Sequence, residues 1–187
     1  LGYSRLDRGM GLKLLVTGPV RAGKSRHAEA LLSDRPAVTY LAPGPIPDPN
    51  TDPDWAYRVR SHRERRPAHW HALETVRIDT ALREASGPVL IDCLGIWVTS
   101  LIDRLDGWER PISHWREDFD ASVDSAVAEF EAYSDDLVIV TNEVGWSIVP
   151  DHVSGRVFRD LVGLVNQRVA EVCPEVHLVV AGRVLKL

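Results

Sequence analysis

Short apolar runs alternate with longer stretches of helical period along this 187-residue chain. Leu12 to Thr17 is an apolar run that stops at a glycine, the pattern of a buried strand, and Lys24 to Ser33 predicts a helix. Ala37 to Ala42 predicts a second strand. Pro43 to Pro53 holds five prolines and no period, which makes it a loop. Asp54 to Arg66 predicts a helix that stops before Pro67. Pro88 to Ile91 is a third strand with Asp92 at its carboxyl end, and Leu137 to Thr141 is a fourth. Ile112, Trp115, Phe119, Val123, Val127 and Phe130 recur at helical spacing and predict one helix over Ile112 to Phe130. Val157, Leu161, Leu164, Val165 and Val169 do the same for Val153 to Val172, and Val176 to Ala181 closes the series as a fifth strand. Continuous apolar strands alternating with helices imply an α/β fold: a mainly parallel sheet covered by helices on both faces.

Composition narrows the class. The chain is long enough for one domain with a core, expected over residues 12–187. Leu1 to Gly11 reads as an N-terminal extension, expected to be disordered, with Met10 as a candidate true start; it lacks the apolar centre of a signal peptide. No apolar run has the length of a membrane span. Cys93 and Cys173 are too few and too scattered for a disulfide framework or a zinc site, which fits a reduced cytoplasmic setting. A net charge of −5 argues against nucleic acid as partner and requires local groups to hold any anion.

Those local groups are visible. Gly18-Pro19-Val20-Arg21-Ala22-Gly23-Lys24-Ser25 matches G-x-x-x-x-G-K-[ST] in full, after a strand and before a helix. Backbone N–H groups of such a loop wrap a phosphate, and the helix start adds its dipole. Lys24 would bring a charge to the β- and γ-phosphates, and Ser25 a hydroxyl to Mg²⁺. Pro19 has no N–H to give, but it lies early in the loop. The fold class is therefore that of a P-loop NTPase. Asp92 and Glu143, at or just past strand ends, are candidate Mg²⁺ ligands, the alternative for each being a capping or salt-bridged carboxylate at a turn.

A second basic segment surrounds a histidine. Arg58, Arg60, Arg63, Arg65 and Arg66 flank His62, and Arg58, His62, Arg65 and Arg66 share one side of a helix. Nearby positive charge disfavours the imidazolium, leaving a neutral nucleophile beside groups that suit phosphate oxygens. A solvated basic face with an incidental histidine accounts for the same residues. Trp97, Trp115 and Trp146 could line a wide apolar surface or lie in the core, and Trp115, at helical spacing, suits the core better.

Together these segments resemble one family. GPVRAGKSRHAEAL (Gly18 to Leu31), RVRSHRERRPAHW (Arg58 to Trp70), IDCLGIWVTS (Ile91 to Ser100), TNEVGWSIVP (Thr141 to Pro150) and FRDLVGLVNQR (Phe158 to Arg168) look, in that order, like the bifunctional adenosylcobinamide kinase/adenosylcobinamide-phosphate guanylyltransferases. The resemblance implies two reactions of late cobalamin assembly. A triphosphate phosphorylates adenosylcobinamide; GTP then transfers GMP to adenosylcobinamide phosphate through a guanylyl-enzyme, giving adenosylcobinamide-GDP. It implies GTP and ATP as substrates, Mg²⁺, and a homotrimer.

By the same resemblance His62 is the guanylylated residue, with Lys24 catalytic beside it. Nucleotide contacts fall on Gly18 to Ser25, on Pro43, Gly44 and Pro45, on Arg63, Glu64, Arg65 and Arg66, and on Glu74 and Asp92. Two departures stand out: Pro43-Gly44-Pro45 replaces small hydroxyl residues, and Gly95 stands where the family often has threonine. Two other readings fit the P-loop alone: a kinase for another small molecule, and a nucleotide-binding module without turnover.

Overall fold

The computed structural model describes residues 11–45 and 50–187, the side chains of Trp55, Arg58, His62 and Arg65 excepted. The expected N-terminal extension thus lies outside the described residues apart from Gly11, as do residues 46–49 of the proline-rich loop.

In chain order the elements are β1 (Lys13–Thr17), α1 (Lys24–Leu31), β2 (Thr39–Ala42), α2 (Pro53–Arg65), β3 (His71–Glu74), α3 (Ile78–Glu84), β4 (Val89–Asp92), α4 (Leu94–Arg104), α5 (Arg116–Ala132), β5 (Leu137–Val140), α6 (Val153–Val172), β6 (Glu175–Val180) and β7 (Arg183–Lys186). The strands form one sheet in the order β3-β2-β4-β5-β1-β6-β7. All pairs are parallel except β6 with β7. Among the described residues the sheet therefore has seven strands rather than the five predicted.

Strand alternation sorts the core into two layers. Leu14 and Val16 of β1, Leu90 of β4 and Val138 and Val140 of β5 pack with Ala22, Ala28 and Leu32, on the face that α1 covers. Leu15, Ile91, Leu137 and Ile139 point the other way, against a larger layer from α3, α4, α5 and α6. Phe119, Val123, Ala126 and Phe130 form the buried stripe of α5, at the predicted period. The α/β reading with both faces covered holds.

One predicted helix needs correction. The expected helix over Ile112 to Phe130 is split: Ile112–His114 is a 3₁₀ turn, and α5 starts at Arg116. Pro111 sets up the tight turn, and the Trp115 N–H closes back on Ile112 O at 3.2 Å, a three-residue step. Trp115 then plugs the core, its ring edge-on to Phe119 at 6.1 Å. Trp97 is likewise buried, its indole N–H donating to Val76 O at 3.0 Å. Neither can offer a surface to a ligand; Trp146, 68% exposed, can.

Two tests separate these tryptophans. Trp97→Ala should cost about 3–5 kcal/mol of unfolding free energy in urea melts, the usual range for emptying an aromatic core position. Trp146→Ala should stay within about 0.5 kcal/mol.

Candidate active site

At the carboxyl end of β1 the chain enters a loop whose backbone only certain residues allow. Gly18 has φ 145° and Gly23 φ 103°. At Gly18 a Cβ would lie 2.2 Å from the Val179 carbonyl oxygen, so a side chain there would drive β1 and β6 apart. Arg21 takes φ 59°, a conformation that costs a non-glycine residue about 1 kcal/mol.

Hydrogen bonds clamp the loop from both sides. The Glu143 N–H, just past β5, donates to Gly18 O at 3.0 Å. From the other side, Gly182 N–H donates to Ala22 O at 2.9 Å. Gly182 lies in the two-residue turn joining β6 to β7, where both Ala181 (φ 49°) and Gly182 (φ 75°) are left-handed, as a tight hairpin requires. Pro19 has its own use here: its carbonyl accepts Ala22 N–H at 3.3 Å and Lys24 Nζ at 2.8 Å. Lys24 Nζ also donates to Gly18 O at 2.8 Å and is only 7% exposed, so the ammonium is held inside the curl of the loop. Helix geometry leaves the first N–H groups of α1 without intrahelical acceptors, facing the same hollow.

Two strands over, Asp92 ends β4. Sheet register sets Asp92 opposite Val140, and Val140 opposite Val16, about 10 Å across two strand spacings. The Tyr40 hydroxyl donates to Asp92 Oδ2 at 2.9 Å. Burial, reinforced by Asp92, holds the Tyr40 hydroxyl well above its ordinary pKa, so it remains a donor. The Arg66 guanidinium stacks over the Tyr40 ring at 3.7 Å. Through this stack the end of α2 is fixed to β2 and, through Tyr40, to the β4 carboxylate.

Beside the stack lies a cavity of about 310 Å³, lined by Tyr40, Arg63, Arg66, Trp70 and Glu74 among others. Arg63 is ion-paired with Glu74. Trp70 is buried, and its indole N–H has no partner among the described residues. The cavity thus offers donors from Arg63, Arg66 and Trp70, an acceptor at Glu74, and two aromatic rings.

The structure therefore gathers most of the sequence candidates at one end of the sheet. Gly18 to Ser25 form the loop, Glu143 abuts it, and Asp92, Arg66, Arg63 and Glu74 form a connected group. Glu64 is exposed. His62 lies on α2, one turn before Arg66; its side chain and that of Arg65 lie outside the described set. Pro43-Gly44-Pro45 runs against α4, where a Cβ on Gly44 would meet Ile96 Cγ2 at 2.4 Å and Ser100 Oγ donates to Pro43 O at 3.3 Å. Glu143 Oε1 accepts Gly145 N–H at 3.0 Å, which makes it in part the turn-capping carboxylate of the alternative reading.

Sequence reasoning missed Tyr40, Trp70 and Asn166. The first two sit inside or beside short strands, where an aromatic reads as core. Asn166 accepts Thr141 Oγ1–H at 2.6 Å and donates to Asn142 O at 3.0 Å, fixing the segment after β5. Its neighbours Gln167 and Arg168 are polar too, so nothing in the sequence sets Asn166 apart.

Comparisons with known proteins give the family and the fold. The family model described as "Cobinamide kinase / cobinamide phosphate guanyltransferase" matches residues 14–187. The chain belongs to this family. The protein named "Bifunctional adenosylcobalamin biosynthesis protein CobU" from Salmonella typhimurium is 39% identical over 185 residues, covering 94% of this chain and 99% of the relative. Its Escherichia coli namesake is 37% identical at the same coverage, and "Bifunctional adenosylcobalamin biosynthesis protein CobP" of Pseudomonas aeruginosa is 33% identical over 90% of this chain and 92% of the relative. Among solved structures, a "prototypical ATPase from the type III secretion system of pathogenic bacteria" superposes with TM-score 0.54 at 10% identity. It covers 91% of this chain, which spans 51% of that one, and supports the P-loop NTPase fold alone.

Below the loop in this family member, two histidines face each other. His27 of α1 and His177 of β6 share a contact of 2.8 Å between Nε2 and Nδ1, so one proton lies between them. Burial, and for His27 also the neighbouring His177 and Lys186, pushes both imidazoles below the ordinary value of 6.5; Lys186 lowers His177 further, and Glu175 partly offsets it. Groups that titrate lower in the fold than in the unfolded chain favour folding above about pH 6.5, and that contribution is lost as pH falls through their folded values. The melting temperature should therefore drop between about pH 7 and pH 5. The double variant His27→Gln/His177→Gln should show a shallower drop over the same range by circular dichroism.

Proposed function

We propose that this protein phosphorylates the hydroxyl of adenosylcobinamide with a nucleoside triphosphate, ATP or GTP. It then transfers GMP from GTP to adenosylcobinamide phosphate. The observation that carries the reading is the placing of α2. Its end is stacked through Arg66 on Tyr40 and thence tied to Asp92, at the end of the sheet that holds the phosphate loop. A triphosphate in the loop and a nucleophile on α2 can then act on one nucleotide. The family, shared over nearly the whole chain, supplies the substrate class.

In the second reaction a His62 imidazole nitrogen attacks the α-phosphorus of GTP. The bond from that phosphorus to its bridging oxygen breaks, and pyrophosphate leaves into the loop, where Lys24 and the backbone N–H groups meet its charge. Arg63, Arg65 and Arg66 stabilise the equatorial oxygens. The phosphate oxygen of the corrinoid then displaces the imidazole, and adenosylcobinamide-GDP departs. The cavity by Arg63, Arg66, Trp70 and Glu74 suits the rest of the nucleotide, as the resemblance expects of Arg63, Glu64 and Glu74. Pro43, Gly44 and Pro45 would border it from β2.

Mg²⁺ fits the donors present. Ser25 offers a hydroxyl, Asp92 a carboxylate and Glu143 a second one beside the loop. Among the described residues no three His, Cys, Asp or Glu side chains make a metal cage, and Mg²⁺ is commonly held by one or two carboxylates plus substrate phosphates. When bound it would neutralise charge on the β- and γ-phosphates.

The same reading includes one domain over residues 12–187, since a single sheet runs through it. It also includes a reduced cytoplasmic setting, with Cys93 and Cys173 buried and unpaired, and a homotrimer on the strength of the resemblance. No helix among the described residues is long and apolar enough to cross a membrane.

Incubation with α-labelled GTP and Mg²⁺ should leave acid-labile, base-stable label on the wild-type protein and none on His62→Ala, which should keep kinase activity. Lys24→Ala should slow both reactions by about 100-fold or more. Undiminished label on His62→Ala would contradict the assignment.

A further inference from the structure

The nucleotide cavity lies on the α1 side of the sheet, where Tyr40 and Trp70 belong to the smaller core layer. On the other face of the sheet the surface beside the phosphate loop is of another kind. The segment after β5 starts at the loop, through the Glu143–Gly18 hydrogen bond, and Val144 anchors it in the α4–α6 layer. It then presents Trp146 (68% exposed), Ile148 (93%), Val149 (59%) and, on the first turn of α6, Val153 (64%). Pro150 packs on Gly155, where a Cβ would come within 2.9 Å of it. Next to this lies an open cavity of about 480 Å³, lined by Thr99, Trp108, Ser154, Gly155 and Phe158. Thr99 stands one turn along α4 from Gly95, which itself touches Asn142 beside the loop.

We propose that Trp146, Ile148, Val149 and Val153, with the cavity between Trp108 and Phe158, bind the macrocycle of the corrinoid substrate. This rests on the functional reading above, which requires a corrinoid acceptor. Three observations select that occupant. The surface is continuous with the phosphate loop, so a ligand seated on it can extend a hydroxyl or phosphate to the bound nucleotide. It belongs to the opposite face of the sheet from the basic cavity, so an acceptor seated there leaves the nucleotide's cavity free. Its chemistry is apolar with hydroxyls at Ser147, Ser154 and Thr99, which suits a flat ring rimmed with amides. A contiguous apolar surface beside a catalytic loop is the ordinary mark of a binding site. Gly95 lies at the near end of this path, where a Cβ would press on Asn142 Nδ2 at 2.8 Å.

Equilibrium dialysis of adenosylcobinamide, read by its visible absorption, tests this on the whole chain, with GTP affinity measured in parallel. Trp146→Ala and Ile148→Ser should each weaken corrinoid binding by about tenfold or more while GTP affinity holds within about twofold. Leu185→Ser, which removes an exposed apolar side chain from the far edge strand, should change neither. Variants that bind the corrinoid like wild type would overturn the proposal. So would a change in sedimentation mass with corrinoid affinity unchanged, which would assign the surface to a second copy of this chain. Wild-type protein that holds GTP but no adenosylcobinamide would overturn the functional reading, and this proposal with it.

Discussion

A nucleoside triphosphate is a polyanion, and this chain carries a net charge of −5. The overall field repels the ligand, so the protein must meet it with donors fixed in place. The loop from Gly18 to Ser25 does this only if its shape is enforced, because a curl of inward-facing N–H groups is strained and self-repelling when empty. The enforcement comes from close backbone contacts. Gly18 lies against the Val179 carbonyl, the β6–β7 turn bonds Ala22, and the segment after β5 bonds Gly18. Lys24 completes it by turning its ammonium onto the Gly18 and Pro19 carbonyls, which it can exchange for phosphate oxygens. Three neighbouring strands, β5, β1 and β6, must therefore be in place before the loop can bind anything.

From that fixed point the two flanks diverge in chemistry. On one side Arg66, Tyr40 and Asp92 tie α2 to the sheet and frame a basic cavity with Arg63, Trp70 and Glu74. On the other, Trp146, Ile148, Val149 and Val153 are apolar and exposed. A transferase that joins a charged nucleotide to a large, mostly uncharged acceptor needs both surfaces, separated by the phosphates that pass between them. Asn166 matters in this view because its bonds to Thr141 and Asn142 hold the segment that borders both.

The parts most legible in the sequence were those whose local pattern and tertiary role agree. Leu14, Leu15 and Val16 are apolar because both faces of β1 are covered, and the glycines follow because the loop turns there. Helix α6 has the predicted bounds, Val153 to Val172, since its apolar stripe is narrow and regular. Helix α4 was not read as an element although Leu94, Trp97, Val98, Leu101 and Ile102 recur on one face, because it follows β4 after the single residue Cys93 and the apolar residues run on across that boundary. Strand β3 has only four residues at a sheet edge, with His71 and Glu74 polar. Strand β7 depends on the Ala181-Gly182 turn, and alanine in a left-handed position is a weak signal beside asparagine or aspartate. At the site, the loop and the carboxylates at strand ends were legible from motif and position. Tyr40 and Trp70 were not, because a buried aromatic looks the same in sequence whether its polar atom is spent or free.

The central claim is that the phosphate loop and α2 act on the same GTP, the one holding pyrophosphate while the other takes GMP. Exchange of labelled pyrophosphate into GTP, without any corrinoid, measures this directly. The account requires exchange by the wild-type protein and its loss in both Lys24→Ala and His62→Ala. Absence of exchange in wild type, or exchange undiminished in Lys24→Ala, would contradict it.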